Sequence, residues 1–195
     1  IELRADLIAK GYQFDTHSDT EVVLKLYLEY GLDFVNYMNG QWAIALWDDL
    51  KQQLVLTRDR VGICPLFFHE EGGQVSFASE IKALKPALNS GLQMDPRALD
   101  QVFTFWAPVS PNTLFTDVYE VSPGEIKIFS SNSVRSFRYW DWDYPTADEQ
   151  YSRKSESELI EELHQHLIDA TIIRLRADVP VGAYLSGGLD SSILV

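Results

Sequence analysis

Apolar positions in the first ten residues fall at Leu3, Leu7 and Ile8, a spacing that predicts a helix from Ile1 to Lys10, stopped by Gly11. Ser18-Asp19-Thr20-Glu21 reads as a capping box, with Ser18 as N-cap and Glu21 at the third helical position. It opens a second helix that runs through Val22, Val23, Leu26 and Tyr27 to Gly31. The pattern then changes to sheet. Residues 41–47 and 53–57 are apolar runs separated by the polar turn Asp48-Asp49-Leu50-Lys51. Residues 66–69 and 75–78 form a second pair, joined by Glu70-Glu71-Gly72-Gly73, a hairpin signal. Ser79 is predicted to cap a short helix from Glu80 to Leu84. Asp95, followed by Pro96 at the first helical position, opens another helix to Phe105. Residues 118–121, 125–129 and 134–139 read as further strands, with Pro123-Gly124 turning between the first two.

Residues 140–155 begin aromatic, turn polar and show no period, the mark of a linker. Ser155-Glu156-Ser157-Glu158 is a second capping box. Its helix is expected to bury Leu159, Leu163, Leu167 and Ala170 and to end near Arg176. Val181 to Leu185 then reads as a short strand, followed by Ser186-Gly187-Gly188-Leu189-Asp190-Ser191-Ser192. The pattern divides the chain into an α+β portion dominated by antiparallel strands over residues 1–140, a linker over 141–155, and the first helix and strand of an α/β unit over 156–195. One strand cannot form a sheet or cover both its faces, so the second unit reads as incomplete.

With 46% hydrophobic and 12% aromatic residues, the chain can bury a core. Its 29 acidic against 16 basic side chains give a net charge of −13, which opposes binding to nucleic acid or an anionic membrane. The single cysteine, Cys64, excludes an intrachain disulfide and a Cys-rich zinc site, and fits a reducing cytoplasm. No apolar run approaches the roughly 18 residues of a membrane span, and no secretory signal opens the chain. The chain begins with Ile1 inside a helical pattern, so residues upstream of it are expected.

The string from Ser186 to Ser192 carries chemistry. Gly187 and Gly188 let the backbone turn sharply and approach a ligand. The amides of Gly187, Gly188, Ser191 and Ser192 can face inward at a helix start, an arrangement suited to pyrophosphate, and the three serine hydroxyls add neutral donors. A carboxylate at Asp190 would repel bare phosphate but serves as a ligand for Mg²⁺ bridging to it. The loop lacks the lysine of the Walker type.

Ser186 to Ser192 resembles the pyrophosphate loop of the ATP pyrophosphatase class. Upstream, His17 to Val22, Met38 to Asp48, Arg58 to Leu66, Phe77 to Leu84 and Asp178 to Gly182 follow the order seen in glutamine-hydrolysing asparagine synthetases. The resemblance covers essentially the whole chain. It implies an antiparallel N-terminal-nucleophile (Ntn) α/β/β/α glutaminase portion, then the start of an α/β synthetase domain. The activity it implies is amidation of aspartate with ammonia from glutamine, through a β-aspartyl-AMP, using ATP and Mg²⁺.

Residue by residue, the resemblance makes Asp19 the ligand of the glutamine α-amino group. Leu185 matches the position that meets adenine, and Ser186, Gly187, Gly188, Leu189, Asp190, Ser191 and Ser192 match the pyrophosphate site, with Asp190 on Mg²⁺. It places the nucleophilic cysteine before Ile1, so no catalytic residue is expected here and the fragment alone is expected to be inactive. Cys64, where relatives commonly carry lysine, reads as a packing residue or neutral replacement. Arg58, Asp59 and Arg60 read as a buried salt-bridge cluster fixing the loop before Gly62. Glutamine, aspartate and ATP are the implied partners, and a homodimer is compatible. Two alternatives stand beside this: a β-lactam synthetase-like relative acting on another carboxylate, and a non-catalytic regulatory or binding domain.

Overall fold

A computed structural model describes residues 2–146 and 154–195. The predicted helix start at Ile1 and the middle of the predicted linker lie outside the described residues. Two compact units emerge, Ile1–Asp143 and Tyr144–Val195.

In the first unit, α1 (Glu2–Ala9) and α2 (Asp19–Tyr30) precede a single turn of 3₁₀ helix and the short α3 (Phe34–Tyr37). Strands β1 (Ala43–Asp48), β2 (Gln53–Arg58), β6 (Glu125–Ser130) and β7 (Ser133–Arg138) form one antiparallel sheet in the order β1-β2-β6-β7. A second antiparallel sheet has β3 (Phe67–Glu71) between β4 (Gln74–Ala78) and the two-residue β5 (Tyr119–Glu120). Helices α4 (Ile81–Leu84) and α5 (Pro96–Phe105) lie between β4 and β5 in the chain.

The two-residue period of the strands sorts their side chains into layers. Val55 of β2 and Ile126 and Ile128 of β6 pack with Leu7, Leu26, Tyr27, Phe34 and Val35 of the helices. Their neighbours Leu56 and Phe129 point the opposite way and meet Leu66, Phe68 and Val121 between the sheets. On the outer face of the second sheet, Leu84 and Leu88 pack with Val118 and Phe67. Helix, sheet, sheet, helix is therefore the layer order, the expected α/β/β/α sandwich. A polar tie joins the first two layers: the Tyr27 hydroxyl donates to Asp48 at 2.6 Å and accepts from the buried Gln53 amide at 3.2 Å.

Several local readings are corrected. Ser18 caps α2, accepting from the Thr20 amide, but Glu21 does not close the box. Its carboxylate turns back to the amides of Asp15 and Thr16 and the Thr16 hydroxyl, a richer set of donors than the Ser18 amide. Glu80, not Ser79, stands at the N-cap of α4, without a side-chain cap bond. The strand predicted over 118–121 shrinks to two residues because Val118 and Val121 face different cores.

In the second unit the Ser155–Glu158 capping box is made in full, and α6 runs Glu156–Arg174, two residues short of Arg176. Leu159, Leu163 and Ala170 are exposed and Leu167 is half-buried, against the expectation of burial. No strand forms over 181–185; among the described residues no neighbouring strand pairs with it, and an isolated strand leaves its hydrogen bonds unmade. The unit ends in α7 (Leu189–Leu194).

Candidate functional site

Asp19 is the first residue of α2, exposed, with a negative charge where the helix dipole favours one. The chain leading to it is held firmly. Arg4 donates to the carbonyls of Thr16 at 2.7 Å and Ser18 at 2.9 Å, and its guanidinium lies over the Phe14 ring. Glu21 grips the same turn from the other side, and its three donors, the Thr16 hydroxyl foremost, hold its carboxyl at about 2. Among the described residues the exposed Asp19 carboxylate takes only a long 3.5 Å bond from Ser18, which leaves it unused accepting capacity.

Asp19 borders a cleft of about 760 Å³. One wall is α2 at Asp19, Thr20 and Val23; another is the stretch from Met38 to Ala45 that leads into β1; Cys64, Pro65 and Ser79 complete it. Cys64 stands half-buried on the cleft wall rather than in the core. A second hollow of about 810 Å³ lies where Trp47, Phe77 and Val134 meet, mostly apolar and without any of the predicted site residues.

The Arg58–Arg60 cluster differs from its prediction. Arg58 pairs with Glu120 at 2.9 Å, not with Asp59, and its remaining N–H groups go to the carbonyls of Cys64, Gly62 and Val121. Asp59, 1% exposed, uses no cation. Its carboxylate accepts from the amides of Ile63 at 2.9 Å, Cys64 at 3.0 Å and Trp42 at 3.3 Å. Burial pushes its pKa up, but the backbone donors, Cys64 first, outweigh that and hold it below the ordinary carboxylate range. Arg60 is not part of an ionic cluster; its Nε is buried without a hydrogen-bond partner. Sequence reading saw that these residues fix a loop but missed how, because both fix it through backbone groups. Gly62, at φ +70°, was the one visible signal: a Cβ there would meet Pro123 at 2.8 Å.

In the second unit, Ser186 to Ser192 close into a compact turn at the start of α7. Gly187 takes φ +79°, and the Ser186 and Ser191 hydroxyls meet at 2.9 Å. Ser191 and Ser192 donate their hydroxyls to the Gly188 carbonyl, so these hydroxyls face the loop itself rather than outward. Two of the amides expected to face a ligand are already used, Gly188 donating to the Ser186 hydroxyl at 3.4 Å and Ser192 to the Gly188 carbonyl at 3.1 Å; among the described residues the first-turn amides of Leu189, Asp190 and Ser191 remain for another acceptor. Leu185 and Leu189 are exposed. No hydrogen bond or ion pair to Asp190 occurs among the described residues. Free first-turn amides beside a free carboxylate are a donor set that fits phosphate oxygens with Mg²⁺ between them. Elsewhere among the described residues, no three His, Cys, Asp or Glu side chains converge as a metal site would need, and no helix is long and apolar enough to cross a membrane.

Two antiparallel sheets enclosed between helices are the layer order of the Ntn α/β/β/α fold. The chain belongs to the glutamine amidotransferase domain family, whose description matches residues 1–140, while residues 162–195 match that of asparagine synthase. It is 37% identical over 195 residues to asparagine synthetase [glutamine-hydrolyzing] 1 of Bacillus subtilis, covering all of this chain and 30% of that one. It is 38% identical over 188 residues to amidase chry2 of Gibberella zeae, covering 95% of this chain and 27% of the relative. Among solved structures, a glutamine phosphoribosylpyrophosphate amidotransferase from B. subtilis shares the fold at TM-score 0.50 and 21% identity, over 71% of this chain and 26% of its own. The chain thus spans about a third of the length of the curated relatives it matches.

Proposed function

We propose that the protein carrying this chain is a glutamine-dependent asparagine synthetase, which hydrolyses glutamine and uses ATP to amidate aspartate. The observation that carries the reading is the exposed Asp19 carboxylate at a cleft of about 760 Å³, in a chain whose other end is a phosphate-type loop. Asp19 would bind the α-ammonium of glutamine by a charge-assisted hydrogen bond, while the walls at Met38–Ala45 and Cys64–Pro65 enclose the side chain. At Ser186 to Ser192 the free amides of α7 would hold the departing pyrophosphate. Asp190 would hold Mg²⁺, which offsets phosphate charge when bound. Adenylation of the aspartate side chain gives a good leaving group, and attack by unprotonated ammonia then forms the amide.

The fungal amidase similarity favours a second reading, the same two-unit plan with a carboxylate other than aspartate. The test is pyrophosphate release by the whole protein with Mg-ATP and glutamine. Release that depends on aspartate and yields asparagine supports the proposal; release only with another acid selects the second reading. No release with any acid, alongside no glutamate formed, overturns both.

A further inference from the structure

We propose that Asp59 is a positioning residue for the glutamine cleft, a buried carboxylate that ties its two walls together and so sets the affinity for the amide donor. The proposal rests on the glutaminase reading above. One oxygen, Oδ2, accepts from Trp42 on the wall leading into β1 and from Cys64 on the stretch that completes the cleft. The other, Oδ1, accepts from Ile63. The main chain of Asp59 repeats the link: its N–H donates to the Trp42 carbonyl at 3.0 Å, and its carbonyl accepts from Gly62 at 3.1 Å. Among the described residues, residues 60–65 and residues 38–45 share no direct hydrogen bond, and Asp59 bonds to both.

Arg58 completes the support from the other side of the same loop, binding the Cys64 and Gly62 carbonyls at 2.7 Å each. The loop therefore has N–H groups held by Asp59 and carbonyls held by Arg58 just before it. An unpaired ionised carboxylate in this position would be strongly unfavourable, and three backbone donors make it stable. Nothing in this arrangement touches a reacting atom. Its consequence is that the backbone at Trp42 and the backbone at Cys64, both lining the cleft, are held to one carboxylate.

The experiment uses the whole protein and reads glutamate release against glutamine concentration. Asp59→Asn keeps the size but turns an N–H of its own toward a backbone N–H, so the walls lose at least one tie. The expected result is a KM for glutamine raised about tenfold with kcat within threefold, and faster amide exchange confined to residues 41–43 and 61–65. Arg58→Lys, which loses the planar fork on the same loop, is expected to raise KM in the same direction and carries the test if Asp59→Asn does not fold. An unchanged KM overturns the positioning role, as does a fall in kcat at constant KM or a loss that only follows the unfolded fraction in thermal melts. If the unaltered protein releases no glutamate, the glutaminase reading fails instead, a result distinct from a wild-type activity whose KM the substitutions leave alone.

Discussion

Asp19 and Glu21 sit two residues apart at one helix start, yet their surroundings give them opposite tasks. Glu21 spends its oxygens on Asp15 and Thr16, whereas those of Asp19 keep unused accepting capacity. If Asp19 binds the α-ammonium of glutamine, Asp19→Asn removes a charge-assisted bond of about 1.5–3 kcal/mol. The expected loss in kcat/KM for glutamine hydrolysis by the whole protein is therefore roughly ten- to a hundredfold. A loss below twofold in steady-state glutamate release would sink the ligand role. For Glu21 the prediction concerns pH. A carboxyl held at about 2 in the folded chain, against an ordinary value of 4.5, adds stability that is complete above the ordinary value. That stability drains away as pH falls from about 5 toward 2. Glu21→Gln is expected to lower the melting temperature at pH 7 and to flatten its acid slope; parallel melting curves across that range would contradict it. Neither division of labour was legible in the text Ser-Asp-Thr-Glu. Capping statistics put Glu21 on the Ser18 amide, and only the fold of residues 15–17 brings a better set of donors within reach.

The elements that could be read were those whose evidence is local. Glu70-Glu71-Gly72-Gly73 makes its β3–β4 hairpin, and Asp95-Pro96 starts α5, because a turn or a cap is decided by a few adjacent residues. Residues 181–185 failed because a strand is stable only with a partner, which no local pattern supplies. Trp106 was equally hidden: it ends α5 at φ +68°, a left-handed position usually given to glycine. Gly124 shows the reverse, a turn glycine whose importance exceeds its turn. Its N–H donates to Asp59, its carbonyl accepts from Tyr139, and a Cβ there would lie 2.3 Å from the Trp140 carbonyl oxygen. Gly124→Ala is therefore expected to destabilise the chain by more than about 1 kcal/mol in denaturant unfolding. Gly72→Ala, at a comparable positive φ but with open space around it, is expected to cost less. Equal effects would mean that backbone strain alone, without the clash, governs both. In the sheet layer, Ile126→Ala removes a fully buried side chain between β6 and the helices and is expected to cost about 2–5 kcal/mol by the same measurement.

At the scale of the molecule, the two predicted sites fall in different compact units, Asp19 in the first and Asp190 in the second. Among the described residues, the hydrogen bonds around the cleft beside Asp19 are made within the first unit: Arg4 and Glu21 on the Asp19 turn, Arg58 and Asp59 on the loop to Cys64. The Ser186–Ser192 loop likewise takes its shape from its own serines and Gly188. This self-sufficiency is why both motifs could be found in the text, while the link that Asp59 makes between Trp42 and Cys64 could not. It also separates their failures. Asp190→Ala removes the one carboxylate in the loop and leaves every contact of the first unit intact. In the whole protein it is expected to reduce Mg-ATP-dependent pyrophosphate release at least a hundredfold while glutamate release stays within about threefold of wild type. Raising Mg²⁺ should recover part of the loss if the carboxylate only tightens the ion, since binding follows mass action. Joint loss of both activities would show that the loop supports the glutamine cleft as well, and the two units would then have to be treated as one cooperative site.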